Sequence, residues 1–297
     1  MNAARFSWSS AALSDVGLVR RVNQDACLAL PEQGLWVVAD GMGGHACGEI
    51  ASAMIVEALA AIARPATMDE FVLAVRLQLK TVNLALRHQA STLDVGLIGS
   101  TVVVLLAIDS ECAVLWAGDS RAYLLQADAL HYGLHPGLHP DLSYGLRQLT
   151  RDHSHRIEHA MAAETGMITG TPAHSGAGTA GTGNNVASSG SSVASTATNV
   201  ASTGITRAVG AAEILCVDEI RLAAHDGDML LLCSDGLSRE VSDYEIACTL
   251  ASRNTRHAAQ ALVALALQRG GRDNVSVVVI TAADHWSADK TQLNPAC

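Results

Sequence analysis

Three aspartates are placed where they could bind a divalent cation. Asp40 and Asp235 each follow a short apolar stretch, and Asp273 precedes one. Asp40 and Asp235 are each followed by glycine, which lets the backbone approach a bound ion closely. Carboxylate and carbonyl oxygens in such positions suit hard cations such as Mg²⁺ and Mn²⁺. Because an Asp-Gly pair is also an ordinary turn signal, the pattern alone leaves a metal site and a set of plain turns as alternatives.

The elements that would position these aspartates follow from apolar periodicity. Residues 35–39 form a β-branched apolar run that ends at Asp40 and predicts a buried strand entering a tight turn. Further strands are predicted at 101–108, 113–117, 122–125, 229–233 and 275–280. Helices are predicted at 48–63, 68–90, 153–164, 243–252 and 257–269. Strands joined by tight turns and helices that come in pairs indicate antiparallel sheets covered by helices.

Composition restricts the classes of function. The chain has 297 residues, of which 49% are hydrophobic, and a formal net charge of -10. This charge argues against a nucleic-acid partner, which needs clustered Lys and Arg. The seven cysteines form no CxxC pair, which predicts reduced thiols rather than a zinc site or a disulfide framework. No signal peptide or bilayer-length apolar run is evident, so we expect a cytoplasmic monomer without direct membrane insertion.

Residues 173–204 differ in composition from the rest of the chain. They consist almost entirely of Gly, Ala, Ser, Thr, Asn and Val, with near-repeats at 185–188 and 199–202. Such a segment has too little apolar surface to offset its ordering entropy, which predicts a flexible insertion. A short pair of Val- and Thr-rich strands within it is the alternative interpretation.

Several motifs follow one another in an order that is specific to one family. They are Arg-Arg-Val-Asn-Gln-Asp at 20–25, Asp-Gly-Met-Gly-Gly-His at 40–45, Gly-Ser-Thr at 99–101, Ala-Gly-Asp-Ser-Arg at 117–121, Leu-Thr-Arg-Asp-His-Ser at 149–154, Ile-Thr-Arg-Ala-Val-Gly at 205–210, Ser-Asp-Gly-Leu at 234–237 and Gly-Arg-Asp-Asn-Val-Ser at 271–276. Together they resemble bacterial type 2C (PPM family) metal-dependent serine/threonine protein phosphatases, over residues 14–281.

The resemblance implies a fold and a domain organisation. The expected fold is α/β, with two antiparallel β-sheets sandwiched between layers of α-helices. It would form a single catalytic domain over residues 1–285, with the low-complexity insertion at about 173–204 and a C-terminal tail at 286–297.

The resemblance also implies a metal site with Mn²⁺ or Mg²⁺, two ions per chain and a weaker third. Asp40 would bridge two ions and the Gly41 carbonyl would complete the coordination of one of them. Asp235 and Asp273 would hold the other ion. Asp119 would join Asp235 at the third ion, and the alternative for Asp119 is a turn-capping role.

Four more residues receive roles from the same resemblance. Arg20 matches the arginine that binds the substrate phosphate, for which a guanidinium fork is well suited. Gln24 stands where the family usually has Glu, and together with Asp25 it would contact waters bound to the metals. His45 would either donate a proton to the leaving oxygen or pack at the start of the following helix.

The implied function is the hydrolysis of phosphoserine and phosphothreonine in proteins by a metal-activated water, opposing a cognate kinase. One alternative is a phosphatase of the same fold dedicated to a single regulator, such as an anti-sigma-factor antagonist. Another is a pseudoenzyme that binds phosphoproteins. Residues 14–52 also resemble phosphatases encoded beside bacterial type VI secretion kinases.

Overall fold

The structure is a computed structural model that describes residues 6–43, 47–127, 145–154 and 204–285. Within these residues the strands are β1 (Phe6–Asp15), β2 (Asp25–Leu30), β3 (Leu35–Gly43), β4 (Ile98–Ser100), β5 (Val102–Ile108), β6 (Glu111–Ala117), β7 (Arg121–Leu125), β8 (Leu146–Gln148), β9 (Asp218–Ala223), β10 (Met229–Cys233) and β11 (Val275–Asp284). The helices are α1 (Cys47–Ala60), α2 (Met68–Thr92), the single turn α3 (Asp235–Ser238), α4 (Asp243–Leu250) and α5 (Thr255–Gln268).

The strands form two antiparallel sheets. The first has the order β1-β11-β10-β7-β8, and the second has the order β2-β3-β5-β6-β9, with β4 paired to β3. Two neighbouring pairs of the second sheet, β2 with β3 and β5 with β6, are joined by short turns; in the second of these turns Ile108 pairs with Glu111. Long connections bring β11, near the end of the chain, between β1 and β10 in the first sheet.

The two sheets pack face to face, and helices cover their outer faces. Alternation along β5 shows how: Val103 and Leu105 point into the layer between the sheets, while Val102 and Val104 point toward α1 and α2. The first sheet is covered on its outer face by α4 and α5, which pack on the alternate residues of β10 and β11. This four-layer arrangement confirms the predicted fold class.

Most predicted elements are confirmed, with two corrections. The strand that carries Asp40 does not end in a tight turn, because β4 pairs with residues 41–43 and β3 continues to Gly43. His153 does not begin a helix, since its backbone bonds to Gly118 and Ser154 forms an isolated bridge with Ile205. Six elements of the described residues were not predicted from the sequence: β1, β2, β4, β8, β9 and the single turn α3.

Three predicted segments fall outside the described residues. They are the rest of the proposed helix at 153–164, the insertion at about 173–204 and the tail at 286–297. Among the residues that are described, no helix combines the length and apolarity needed to cross a membrane.

Candidate metal centre

Asp40 and Asp25 lie side by side at one end of the second sheet. They are partners in the antiparallel register of β2 and β3. The Asp40 carbonyl accepts hydrogen bonds from the Thr101 amide at 2.9 Å and from the Ser100 hydroxyl at 3.0 Å. These contacts fix the backbone of Asp40 where β3 passes from its pairing with β5 to its pairing with β4.

Gly41 occupies a place where no side chain fits. A Cβ atom there would overlap the carbonyl group of Gly48 and lie 2.6 Å from the Gln24 carbonyl oxygen. The Gly41 amide donates to that Gln24 carbonyl at 3.0 Å. The strand is therefore pressed against the start of α1, and the sequence requires glycine for this close approach.

Asp119 lies in the turn between β6 and β7, where the two sheets meet. The Gly118 amide donates to Nδ1 of His153 at 3.2 Å, so Nε2 of this ring carries the proton and faces Asp218 at 3.1 Å. His153 also stacks on Trp116, with the ring centroids 6.1 Å apart. His153 therefore holds the turn that carries Asp119 in place through its contact with Gly118.

Asp235 begins the one-turn helix α3, directly after β10. The Ser234 hydroxyl accepts a hydrogen bond from the Ser276 amide at 2.9 Å, and the Ser234 amide donates to the Ser276 carbonyl at 3.0 Å. These bonds extend the pairing of β10 with β11 and bring Asp235 toward the segment that carries Asp273. The Asp40 and Asp235 carboxyl groups lie close enough to influence each other's pKa values.

Arg20 lies on the loop of residues 16–24, which follows β1. Its Nη2 atom donates to Oδ2 of Asp273 at 2.8 Å, and about half of its side chain is exposed. Asn274 fastens this loop, because its side-chain amide donates to the carbonyls of Val16 and Val22 at 2.9 and 3.0 Å. Its oxygen accepts from the Gln24 amide at 2.8 Å. Arg20 is thus held beside an aspartate of the site.

Burial and crowding raise the pKa values of these carboxylates. Loss of hydration on burial is the main cause, and repulsion between the carboxylates adds to it. The pKa of Asp25 and of Asp119 is raised to about 7 in each case. The pKa of Asp40 is raised well above its ordinary range, and that of Asp235 is also raised. The Arg239 guanidinium opposes the rise at Asp119 and Asp235.

The residues fit a divalent cation, although arginines contact three of the carboxylates, those of Asp119, Asp235 and Asp273. As the side chains lie, no three His, Cys, Asp or Glu residues in the described parts of the chain are arranged as ligands of one ion. The Oδ1 atoms of Asp119 and Asp235 are nevertheless buried without a hydrogen-bond partner. Buried, mutually repelling carboxylates with unpaired oxygens are costly unless a cation neutralises them.

The structure brings together the sequence-predicted residues that it describes. Asp40, Gly41, Asp119, Asp235 and Asp273 lie around one end of the sheets, with Arg20, Gln24 and Asp25 beside them, as the contacts above show. His45 lies outside the described residues, so its role stays a prediction.

Sequence reasoning missed three residues that shape this site: His153, Arg239 and Asn274. His153 and Asn274 stand inside motifs that were recognised, so their position in those motifs was the available signal. Arg239 follows a motif and carries no local signal.

The comparisons with known proteins identify the family. The family model described as Protein phosphatase 2C matches residues 19–268, and the chain belongs to this family. The match includes Asp40, Asp119 and Asp235 and ends shortly before Asp273. The predicted family is therefore confirmed.

Individual relatives agree with this assignment. The serine/threonine protein phosphatase PstP of Mycobacterium tuberculosis is 32% identical over 276 residues, which cover 93% of this chain and 45% of PstP. The chain thus spans less than half the length of that relative. The solved structure of PppA, a key regulatory component of T6SS in Pseudomonas aeruginosa, has a TM-score of 0.73 and 34% identity, covering 93% of this chain and 99% of that structure. The PstP catalytic domain with two manganese ions has a TM-score of 0.69 and 29% identity, covering 94% of this chain and all of that domain.

Proposed function

We propose that this protein is a metal-dependent serine/threonine protein phosphatase. One observation carries the proposal: five aspartates from distant parts of the chain meet at one end of the sheets, where burial and repulsion raise the pKa of four of them. A cluster of this kind is stable in its ionised form only with added positive charge. Family membership and the names of the relatives support the same chemistry.

The proposed ligands would serve two ions and a weaker third, with Asp40 and Asp235 each shared between two ions. Asp40 would contact two ions, with the Gly41 carbonyl completing one and Asp235 and Asp273 holding the other. Asp119 would hold the third together with Asp235. Mn²⁺ or Mg²⁺, when bound, lowers the pKa of a water nucleophile and stabilises negative charge on a phosphoryl group. The two manganese ions in the PstP domain support the proposal that this site binds divalent cations.

The remaining residues would contact the substrate or the water around the ions. Arg20 is half-exposed at the rim, where its guanidinium can leave Asp273 and form paired hydrogen bonds to a phosphate dianion. Gln24 and Asp25 would accept or donate hydrogen bonds to water around the ions. The Gln24 amide carries no charge, so the site is less negative than one with Glu at this position. His45 remains the candidate donor of a proton to the leaving serine or threonine oxygen.

The substrates we propose are phosphoproteins made by a cognate serine/threonine kinase in the cytoplasm. A single dedicated regulatory phosphoprotein is the second candidate, and the similarity to PppA, described as a regulatory component of T6SS, supports it. A broad substrate range predicts comparable rates on many phosphopeptides, whereas a dedicated enzyme would be slow on all of them and fast on one protein.

The proposal is tested by incubating the purified protein with Mn²⁺ and matched phosphoserine, phosphothreonine and phosphotyrosine peptides. We expect phosphate release from the first two, and loss of release when EDTA is added in excess. Full activity in EDTA, or activity that depends on zinc and is not supported by Mn²⁺, would refute the proposal. Binding of phosphopeptides without any turnover would favour the pseudoenzyme instead.

A further inference from the structure

Arg239 places a positive charge over two aspartates of the candidate metal centre. It directly follows the single turn α3, and its amide donates to the Asp235 carbonyl at 2.9 Å. Its Nη2 atom contacts Oδ2 of Asp235 and lies 3.6 Å from Oδ2 of Asp119. The Arg239 side chain is 52% exposed, whereas those of Asp119 and Asp235 are 11% and 10% exposed. The arginine therefore covers a buried acidic pair from the solvent side.

Two other arginines near the site are paired with other aspartates. Arg20 is hydrogen-bonded to Asp273, and Arg121 forms a two-pronged pair with Asp152, which itself raises the pKa of Asp119. In the described part of the chain, Arg239 is thus the cation that contacts both Asp119 and Asp235.

Arg239 satisfies this acidic pair only in part. It touches the Oδ2 atoms, while the Oδ1 atoms of Asp119 and Asp235 stay buried and unpaired. A single guanidinium charge also leaves one negative charge on the pair if both carboxylates are ionised. A divalent ion would neutralise both, and the exposed arginine can swing into solvent to make room.

We propose that Arg239 is a built-in competitor of the divalent ion that Asp119 and Asp235 share. This inference rests on the proposed metal-dependent function. It adds a residue that lowers the affinity of the most weakly bound ion. With that ion absent, Arg239 compensates the two carboxylates. When the ion binds, Arg239 has to leave, so the ion's affinity is lowered by the strength of the arginine contact.

The competing explanation is an ordinary surface ion pair between residues four apart on one turn. Exposed pairs of this kind contribute little, and such an arginine would leave metal binding unchanged. The two explanations therefore differ in a measurement that does not involve catalysis, namely the uptake of Mn²⁺ by the metal-free protein.

The test is calorimetric titration of Mn²⁺ into metal-free wild type and Arg239→Gln. We expect the weakest Mn²⁺ site to tighten by about three- to tenfold, which is about 0.7–1.4 kcal/mol, while the tighter sites change by less than about twofold. Arg239→Glu, which adds a carboxylate, should tighten the same site further. Arg221→Gln is the matched control, because it removes the same charge from an exposed arginine paired with Asp69 and Glu219.

Thermal melting in EDTA gives a second readout. Arg239→Gln should melt below wild type, because its acidic pair has lost its cation, and saturating Mn²⁺ should remove the difference. Superimposable Mn²⁺ isotherms for Arg239→Gln and wild type would overturn the inference and leave the phosphatase proposal standing. Weaker Mn²⁺ binding by the variant would also overturn it, since Arg239 would then support the site. Wild-type protein that takes up no Mn²⁺ would refute both.

Discussion

Replacement of Asn274 by alanine should separate the binding of phosphate from the binding of metal. Asn274 is 5% exposed, and its side chain makes three hydrogen bonds to the backbone of the loop that carries Arg20. The backbone N–H of Asn274 donates to Oδ1 of Asp273 at 2.9 Å, and this hydrogen bond is retained in the alanine variant. The variant therefore releases the loop that carries Arg20. It keeps the backbone contact to Asp273, which is a proposed metal ligand.

The expected size of the effect follows from these bonds. Three hydrogen bonds at about 1 kcal/mol each give a loss of about 3 kcal/mol in the free energy of unfolding. For a domain of this size each kcal/mol lowers Tm by about 2–4 °C, so Asn274→Ala should melt about 6–12 °C below wild type. With Arg20 no longer held in place, KM for an aryl phosphate should rise at least about fivefold, an effect of about 1 kcal/mol. The Mn²⁺ affinity should stay within about twofold.

Asn83→Ala is the matched control. Asn83 is also buried and donates to the Ala212 carbonyl at 3.0 Å, while it accepts from the Gly210 amide at 2.7 Å. Loss of two bonds should lower stability by about 2 kcal/mol with no change in KM. If Asn274→Ala and Asn83→Ala both lowered Tm and left KM unchanged, the loop would not position Arg20 for phosphate. An unchanged Tm for Asn274→Ala would refute the hydrogen-bond argument itself.

Three further outcomes are expected. Arg20→Ala should raise KM about tenfold, the value of a charge-assisted contact to phosphate, with Mn²⁺ binding unchanged by calorimetry; loss of the metals would make Arg20 structural. Gly41→Ala should lower Tm strongly because its Cβ overlaps backbone atoms, whereas Gly96→Ala, with open space around the added methyl, should match wild type by calorimetry. In EDTA the folded protein holds protons on Asp25 and Asp119 up to about pH 7, while the unfolded chain loses them near pH 4, so their contribution to stability should fall as pH rises between these values. Saturating Mn²⁺ should flatten that pH dependence in thermal melts, and a stability that rose with pH in EDTA across this range would contradict the raised pKa values.

The sequence predicts the parts of this molecule that local patterns determine. Asp40 and Asp235 stand beside strongly apolar strands, so their placement near strand ends could be inferred without a fold. The apolar periodicity of α2 and α5 likewise predicted both helices to within a few residues. β1 was missed because its Ser- and Ala-rich sequence has a weak apolar pattern, and its place at a sheet edge comes from backbone pairing with β11.

The parts that could not be predicted depend on distant contacts. The role of Asn274 arises from a loop about 250 residues earlier in the chain. Arg239 lies beside Asp119 only because β7 and β10 pair in one sheet. Asp25 was assigned by resemblance, and its position next to Asp40 follows from a strand, β2, whose pattern is too short to identify alone.

Mn²⁺-dependent hydrolysis of a phosphothreonine peptide by wild type and Asp40→Asn tests the central claim most directly. Each of the other four aspartates raises the pKa of Asp40, so this substitution removes the carboxylate with which all of them interact. Wild type should release phosphate in Mn²⁺ and stop in EDTA, and Asp40→Asn should lose at least about a hundredfold at saturating Mn²⁺. Wild-type turnover by Asp40→Asn under the same conditions would contradict the metal centre described above.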